Sequence, residues 1–421
     1  MNALTDYSLT DPDTVNYPYE YYAKMRTEDP VHFDARAHAY MVSRYDDVLQ
    51  AVRMIRELSN ELGFAEALRS PWQEEIDAMM RREGHGPHII SDNFQVDPPV
   101  HARRRGLVEQ AFSAQRVAAM EDHITGIVRE LMDAFIDKGE ADIVKEFSIP
   151  IAIYVIGGLL NVPRSRMADL KRWSDASVGS IGRGISKEQS FAYARDIMEM
   201  HQFIDEQVQD RRANRGTDMI SDLVHATIDD PQSPQLSFAE LLSICVALLA
   251  AGNETTRNSI SWGTLILAQH PDALRALREA EDQNRALQRF VEEVLRIQSP
   301  VPQLPRVATC DCEIGGVKIP KGSHVFLCFA SANHDARKFA GAEEFELGRK
   351  NAGQHLTFGA GIHRCIGAML ARMELKCAFR EIVNRMESLE LTVPEDQLRI
   401  WGSFVFRGLD NLPVRFTKRA N

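Results

Sequence analysis

The sequence has no Gly/Ser tract, no proline-rich stretch, no long block of one charge and no internal repeat of solenoid type. Those absences exclude a flexible linker between modules and a stacked-repeat architecture, so residues 1–421 read as one domain. Positive charge is in deficit: 49 Lys and Arg stand against 60 Asp and Glu, a formal net of -11. An acidic chain repels nucleic acid and anionic lipid, and neither is an expected partner. Met1 to Asp6 holds no basic cluster leading into an apolar run, so no signal peptide or membrane anchor is expected there. The most apolar run, Leu241 to Ala251, is too short to span a bilayer, and Asn253, Glu254 and Arg257 follow it. A soluble, cytoplasmic protein is the expectation. Cysteine is scarce, six residues in all, which excludes a disulfide-dense scaffold and suits reduced thiols. Cys310 and Cys312 are the one close pair, and no second Cys/His pair sits at zinc-site spacing.

What is present is mainly helical pattern. Tyr19 to Thr27 and Asp46 to Val52 predict short helices on either side of a hairpin, His32-Phe33 with Tyr40-Met41-Val42, in a β-rich part at about 31–43. Asn60 to Asn93 has a weak pattern and reads as loop or short helices, of the kind that cover binding sites. From about 100 to 300 the pattern is helical, with breaks at Gly139, Asn161-Val162-Pro163, Gly179 to Gly184, Asn214 to Gly216 and Asp230 to Pro234. The longest helix opens on Ser237-Phe238-Ala239-Glu240, a capping box whose side chains take up free N–H groups. It can run to His270, about 50 Å at about 1.5 Å per residue. Being apolar on nearly all faces up to Ala251, it suits the centre of a fold. A second β-rich part spans 303–330, with a hairpin at Cys312 to Ile319 across Gly315-Gly316 and a strand from His324 to Ala330. Gly367 to Leu389 reads as helix, and Ser403 to Phe406 and Pro413 to Phe416 as strands. The class is mainly α with a small β region.

Chemistry concentrates in Phe358-Gly359-Ala360-Gly361-Ile362-His363-Arg364-Cys365-Ile366-Gly367. Glycines let backbone approach something flat and large. A cysteine just before a helix meets unpaired N–H groups and the positive end of the dipole, which favour thiolate. Taken as a lone residue, Cys365 would usually be read as a buried structural cysteine in a Gly-rich turn. The whole string resembles the haem-binding loop of the cytochrome P-450 family, F-G-x-G-x-H-x-C-x-G, at every specified position.

That resemblance implies a cytochrome P-450 fold, with haem b between the long central helix and the cysteine loop and helix. Cys365 would be the iron ligand, and Phe358, Gly359, Gly367 and Ala251 would lie against the cofactor. Glu293-Val294-Leu295-Arg296 resembles the family's helix motif, which an arginine from Phe345-Glu346-Leu347-Gly348-Arg349 would join; the expected role of Glu293, Arg296 and Arg349 is structural. Ala251-Gly252-Asn253-Glu254-Thr255-Thr256 resembles the oxygen-activation motif, with Glu254 and Thr255 as the catalytic pair that delivers protons. Asp97 to Arg105 resembles D-P-P-x-H-x-x-x-R, which assigns His101 and Arg105 to the haem propionates together with Arg306 and His363. Ala247, Ala251, Val301, Pro302, Val405 and Phe406 are expected to line the substrate pocket. Asn333-His334-Asp335-Ala336 departs from the usual N-R-D-P, and the stretch around 60–86 fits no family pattern.

The implied activity is hydroxylation: one atom of O2 is inserted into a small to medium apolar substrate. Electrons would come from NAD(P)H through a reductase and a ferredoxin, received at a cationic face of Arg103, Arg104, Arg364, Arg372 and Lys376. A monomer is expected. Two alternatives use the same cofactor, a haem-thiolate peroxygenase driven by H2O2 and a non-catalytic haem sensor or carrier. Neither has need of the Glu254–Thr255 pair.

Overall fold

The structure, a computed structural model, describes residues 3–67, 70–84, 95–179, 185–403 and 405–420. The expected break at 180–184 and residues 85–93 of the weakly patterned segment lie outside that set. Among the described residues helices dominate, and four small sheets carry the β region. The chain packs as two compact units. One comprises Met1–Leu58, Val117–Ala152 and Glu254–Asn421; the other comprises Ser59–Arg116 and Ile153–Asn253.

A five-stranded sheet has the order Val31–Asp34, Ala39–Val42, His324–Leu327, Leu304–Ala308 and Leu58–Ser59. Val31–Asp34 and Ala39–Val42 form the expected antiparallel hairpin, Val31 opposite Val42. Ala39–Val42 then runs parallel to His324–Leu327, which Leu304–Ala308 joins antiparallel. Side chains alternate across a strand, so Val325 and Leu327 reach the same buried cluster as Val42, Val48 and Phe339. Gly315 and Gly316, both at positive φ, make the turn between Cys312–Ile314 and Val317–Ile319.

Three sequence expectations need correction here. The strand from His324 stops at Leu327, and Phe329–Asn333 is a fully buried helical turn. A short apolar run does not distinguish strand from buried helix. The helix after the cysteine ends at Arg385 rather than Leu389, because Met386–Leu391 pairs with Pro413–Lys418. Sheet pairing overrides local propensity there. In the tail, Ser403 to Phe406 forms the turn between strands Ile400–Gly402 and Arg407–Leu409, residue 404 lying outside the described set. The Ser403 hydroxyl accepts the N–H groups of Val405 and Phe406 and so tightens the turn.

The second unit is helical. Residues Asn60–Ala67 and Gln73–Arg82 are helices, and the apolar face Ile76, Met79 and Met80 packs against Ala194 and Met198 of Lys187–Ala213. The capping box is formed: the Ser237 N–H donates to Glu240 at 2.8 Å, and the Glu240 N–H donates to the Ser237 hydroxyl at 3.2 Å. It starts the helix Phe238–Gln269, which the boundary between the units crosses after Asn253. This helix as a whole is long and apolar enough to cross a membrane, which the run Leu241 to Ala251 alone is not; 56% of its most apolar window is buried inside the protein. Its second half carries Glu254, Thr256, Asn258, Ser259, Ser261 and Thr264, all buried.

Candidate functional site

Cys365 is exposed and stands three residues before the start of Ala368–Arg385, with Gly367 as the N-cap. Its backbone N–H donates to the Phe358 carbonyl at 2.8 Å, which closes the loop on itself. Gly359 turns the chain at φ +65°, a conformation that side chains resist. Gly367 lies beside the thiol: a Cβ there would come into ordinary contact with Sγ, at 4.0 Å. Burial pushes other thiols up instead: Cys245 to about 12, with Cys328 and Cys377 also raised. Those three are structural thiols. Cys365 has the access that a metal-binding thiolate needs.

Two adjacent glutamates of the helix Gln283–Ile297 anchor the chain before the loop, and one of them also the helix after it. Glu293 and Arg296 are fully buried and meet through two bonds of 2.8 Å. Arg349 Nε reaches the same carboxylate at 3.0 Å, as does the Glu346 N–H. The structure thus brings together the three residues that the sequence motifs connect. Arg296 also donates to the carbonyls of Asn333, Ala342 and Glu344, so every part of the cluster is bonded.

Glu292, which sequence reasoning missed, takes Arg372 through bonds of 2.5 and 2.9 Å and His355 at 3.1 Å. Burial raises its carboxyl, but the Arg372 and His355 hydrogen bonds outweigh that and hold it at about 2. Burial lowers the His355 pKa; Nδ1 accepts the Thr357 N–H at 3.1 Å, which leaves Nε2–H to donate to Glu292. Arg372, on the helix after Cys365, also lies over the Phe358 ring at 4.4 Å. One carboxylate therefore grips both ends of the cysteine loop. His355 and Arg372 lie far from Glu292 in sequence, and no local pattern could have announced them. Asn333 completes the anchoring by accepting the Leu356 N–H at 2.6 Å and donating to Ser299 and Thr357. Next to it, His334 is buried against Tyr19, and burial depresses it to about 3.

On the long helix, Glu254 is buried and Thr255 half-buried. Arg257 donates to Glu254 Oε2 from Nε at 2.9 Å and approaches it with Nη2 at 2.8 Å. The Thr255 carbonyl accepts the Ser259 hydroxyl at 2.9 Å. Ala247 is half-buried and Ala251 exposed on the same helix. Val405 and Phe406 are buried in the hairpin turn, and the Arg407 N–H donates to the Pro300 carbonyl, which brings that turn beside the Val301-Pro302 segment. Pro302 is itself tied to Ala330 N–H at 2.9 Å.

The four cations assigned to propionates divide between the units. Arg306 is buried on Leu304–Ala308 and donates to the Pro305 carbonyl at 2.7 Å; His363 is half-buried in the cysteine loop. In the second unit, His101 is buried on Val100–Glu109, and burial, then Arg105, lowers its pKa. Arg105 itself bonds Glu109 at 2.6 Å. Of the five cations expected to form a docking face, Arg103 and Arg104 both pair with Glu240, Arg372 with Glu292 and Lys376 with Glu121. Arg364 is exposed.

A haem asks a protein for a strong axial donor and a close approach free of side chains. Cys365 and the glycines beside it meet both requirements. Among the described residues no three His, Cys, Asp or Glu side chains gather as a metal cage. The cytochrome P450 family model matches residues 152–407. Cytochrome P450 107B1 of Saccharopolyspora erythraea is 33% identical over 94% of this chain and 94% of its own. The 6-deoxyerythronolide B hydroxylase of the same organism is 34% identical over 94% and 95%. Among solved structures, cytochrome P450 CYP109Q5 from Chondromyces apiculatus shares 32% identity at a TM-score of 0.86, covering all of both chains. With the cysteine loop, its buried anchors and relatives matched along nearly their whole length, the chain is an enzyme of the cytochrome P450 monooxygenase family.

Proposed function

We propose that this chain is a single-domain, soluble, cytoplasmic monooxygenase that binds haem b through Cys365 and hydroxylates a small to medium apolar substrate. The observation that carries the reading is the exposed Cys365 in a loop whose two ends are gripped by Glu292 and whose base is bonded to Asn333. When bound, haem with a thiolate ligand supplies the activation of O2. Cys365 would ligate the iron, Phe358, Gly359, Gly367 and Ala251 would lie against the macrocycle, and His101, Arg105, Arg306 and His363 would pair with its propionates. Glu293, Arg296 and Arg349 hold the loop in shape.

Thr255 would position a water by its hydroxyl, and Glu254 would carry protons from solvent to that water. Ala247, Val301, Pro302, Val405 and Phe406 offer only apolar side chains and no fixed charge, which suits a terpenoid, aromatic, fatty acid or steroid. Electrons would come from NAD(P)H through a reductase and a ferredoxin, with exposed Arg364, one residue from the ligand, as a docking cation. A protein of this kind acts as a monomer. Incubation with NADPH, ferredoxin, reductase and isotopically labelled O2 tests the reading. Labelled oxygen in the product supports it; product formed only with added H2O2 would assign a peroxygenase, and none under either condition a sensor or carrier.

A further inference from the structure

Arg257 lies one helical turn after Glu254 and belongs to no motif that identified the family. Its Nε and Nη2 both converge on one oxygen of a carboxylate that is 2% exposed. The guanidinium in turn lies over the indole of Trp401, 5.4 Å from the ring centroid. Trp401 is the cross-strand partner of Gly408 in the hairpin Ile400–Gly402/Arg407–Leu409. A Cβ on Gly408 would fall 2.2 Å from Oδ1 of Asn258, so helix and hairpin backbone meet closely at the residue after Arg257. The turn of that hairpin carries Val405 and Phe406.

We propose that Arg257 is a positioning residue for proton delivery, aiming the Glu254 carboxylate, and that Trp401 holds Arg257 in place. The inference rests on reading Glu254 as the proton carrier. A carboxylate that passes protons must return to one orientation after each transfer. Two N–H groups on a single oxygen hold that oxygen in place, so the carboxylate can turn only about it. A lysine ammonium supplies charge without the fork and would leave the carboxylate free to swivel. The indole face adds attraction for the cation and limits where the guanidinium can lie. The acid is thereby referenced to the hairpin that carries two of the expected substrate-pocket residues.

The test compares holoenzyme variants Arg257→Gln, Arg257→Lys, Trp401→Leu, Glu254→Gln and the double variant Glu254→Gln/Arg257→Gln. Each is read by substrate-induced spin-shift titration, thermal unfolding, turnover and the solvent hydrogen isotope effect. Arg257→Gln should keep the spin shift, lose about tenfold in turnover and show an increased isotope effect. Arg257→Lys should recover part of the loss, and Trp401→Leu should lose about threefold. The double variant should be no slower than Glu254→Gln, since Arg257 acts only through Glu254. Wild-type turnover and isotope effect in Arg257→Gln, beside a slow Glu254→Gln, would overturn this inference and leave the proton-carrier reading standing. An unimpaired Glu254→Gln would remove that reading and the inference with it. Losses that multiply in the double variant would also overturn it, because Arg257 would then act independently of the acid.

Discussion

Thr255 and Arg296 lie 41 positions apart on two helices of one unit, and losing either should fail in a different way. Thr255→Ala keeps the helix and the apolar surroundings but loses the hydroxyl that would position a water. Substrate binding and NADPH consumption should persist, with roughly a tenfold fall in product per NADPH and a matching rise in peroxide. Simultaneous assay of NADPH, O2, peroxide and product checks this; unchanged coupling would make the helix motif architecture only. Arg296→Ala leaves Glu293 buried with Arg349 as its remaining cation, at a cost of about 3–5 kcal/mol. Little soluble, haem-loaded protein should be recovered, and a stable holoenzyme with only slower turnover would contradict the structural role. Residues such as Cys365, Thr255 and Glu293 were readable as candidates because short contiguous strings carry them. Glu292, His355, Arg372 and Trp401 were not, because each acts through a partner distant in the chain or through a contact that only folding creates.

Element boundaries follow a similar division. The long helix was readable because its cap and its apolar run agree, and its observed start differs from the reading by no more than a cap residue. The helix after Cys365 and the strand from His324 were each read too long, since their ends are decided by Pro413–Lys418 and by the buried turn Phe329–Asn333. Where the long helix crosses the cysteine helix, Gly263 faces Phe379: a Cβ there would meet the ring at 2.2 Å. The ring is fully buried and packed edge-on to Phe290, so it has little room to retreat. Gly263→Ala should therefore destabilise by about 1–3 kcal/mol despite the better helix propensity of alanine. The midpoint of urea unfolding measures it, and a more stable variant would show that the two helices can separate freely.

At the scale of the whole molecule, buried His334 and half-buried Glu292 contribute to the response to acid, beside His355, which burial also lowers. Burial takes His334 from an ordinary 6.5 to about 3, so the unfolded chain binds the extra proton first. Its contribution to stability is complete above 6.5 and is lost as pH falls toward 3. Glu292, held at about 2 against an ordinary 4.5, contributes fully above 4.5 and loses that contribution as pH falls toward 2. The unfolding midpoint should thus begin to fall below about pH 6.5 and fall more steeply below about 4.5, and His334→Gln should flatten the upper part. The central claim, that Cys365 makes this fold a haem-thiolate enzyme, has a more direct test. The reduced, CO-saturated spectrum of the purified protein should show a strongly red-shifted Soret band, and Cys365→Ser should abolish it while Cys310→Ser leaves it intact. A red-shifted band that survives in Cys365→Ser would contradict the account and place the ligand on another cysteine.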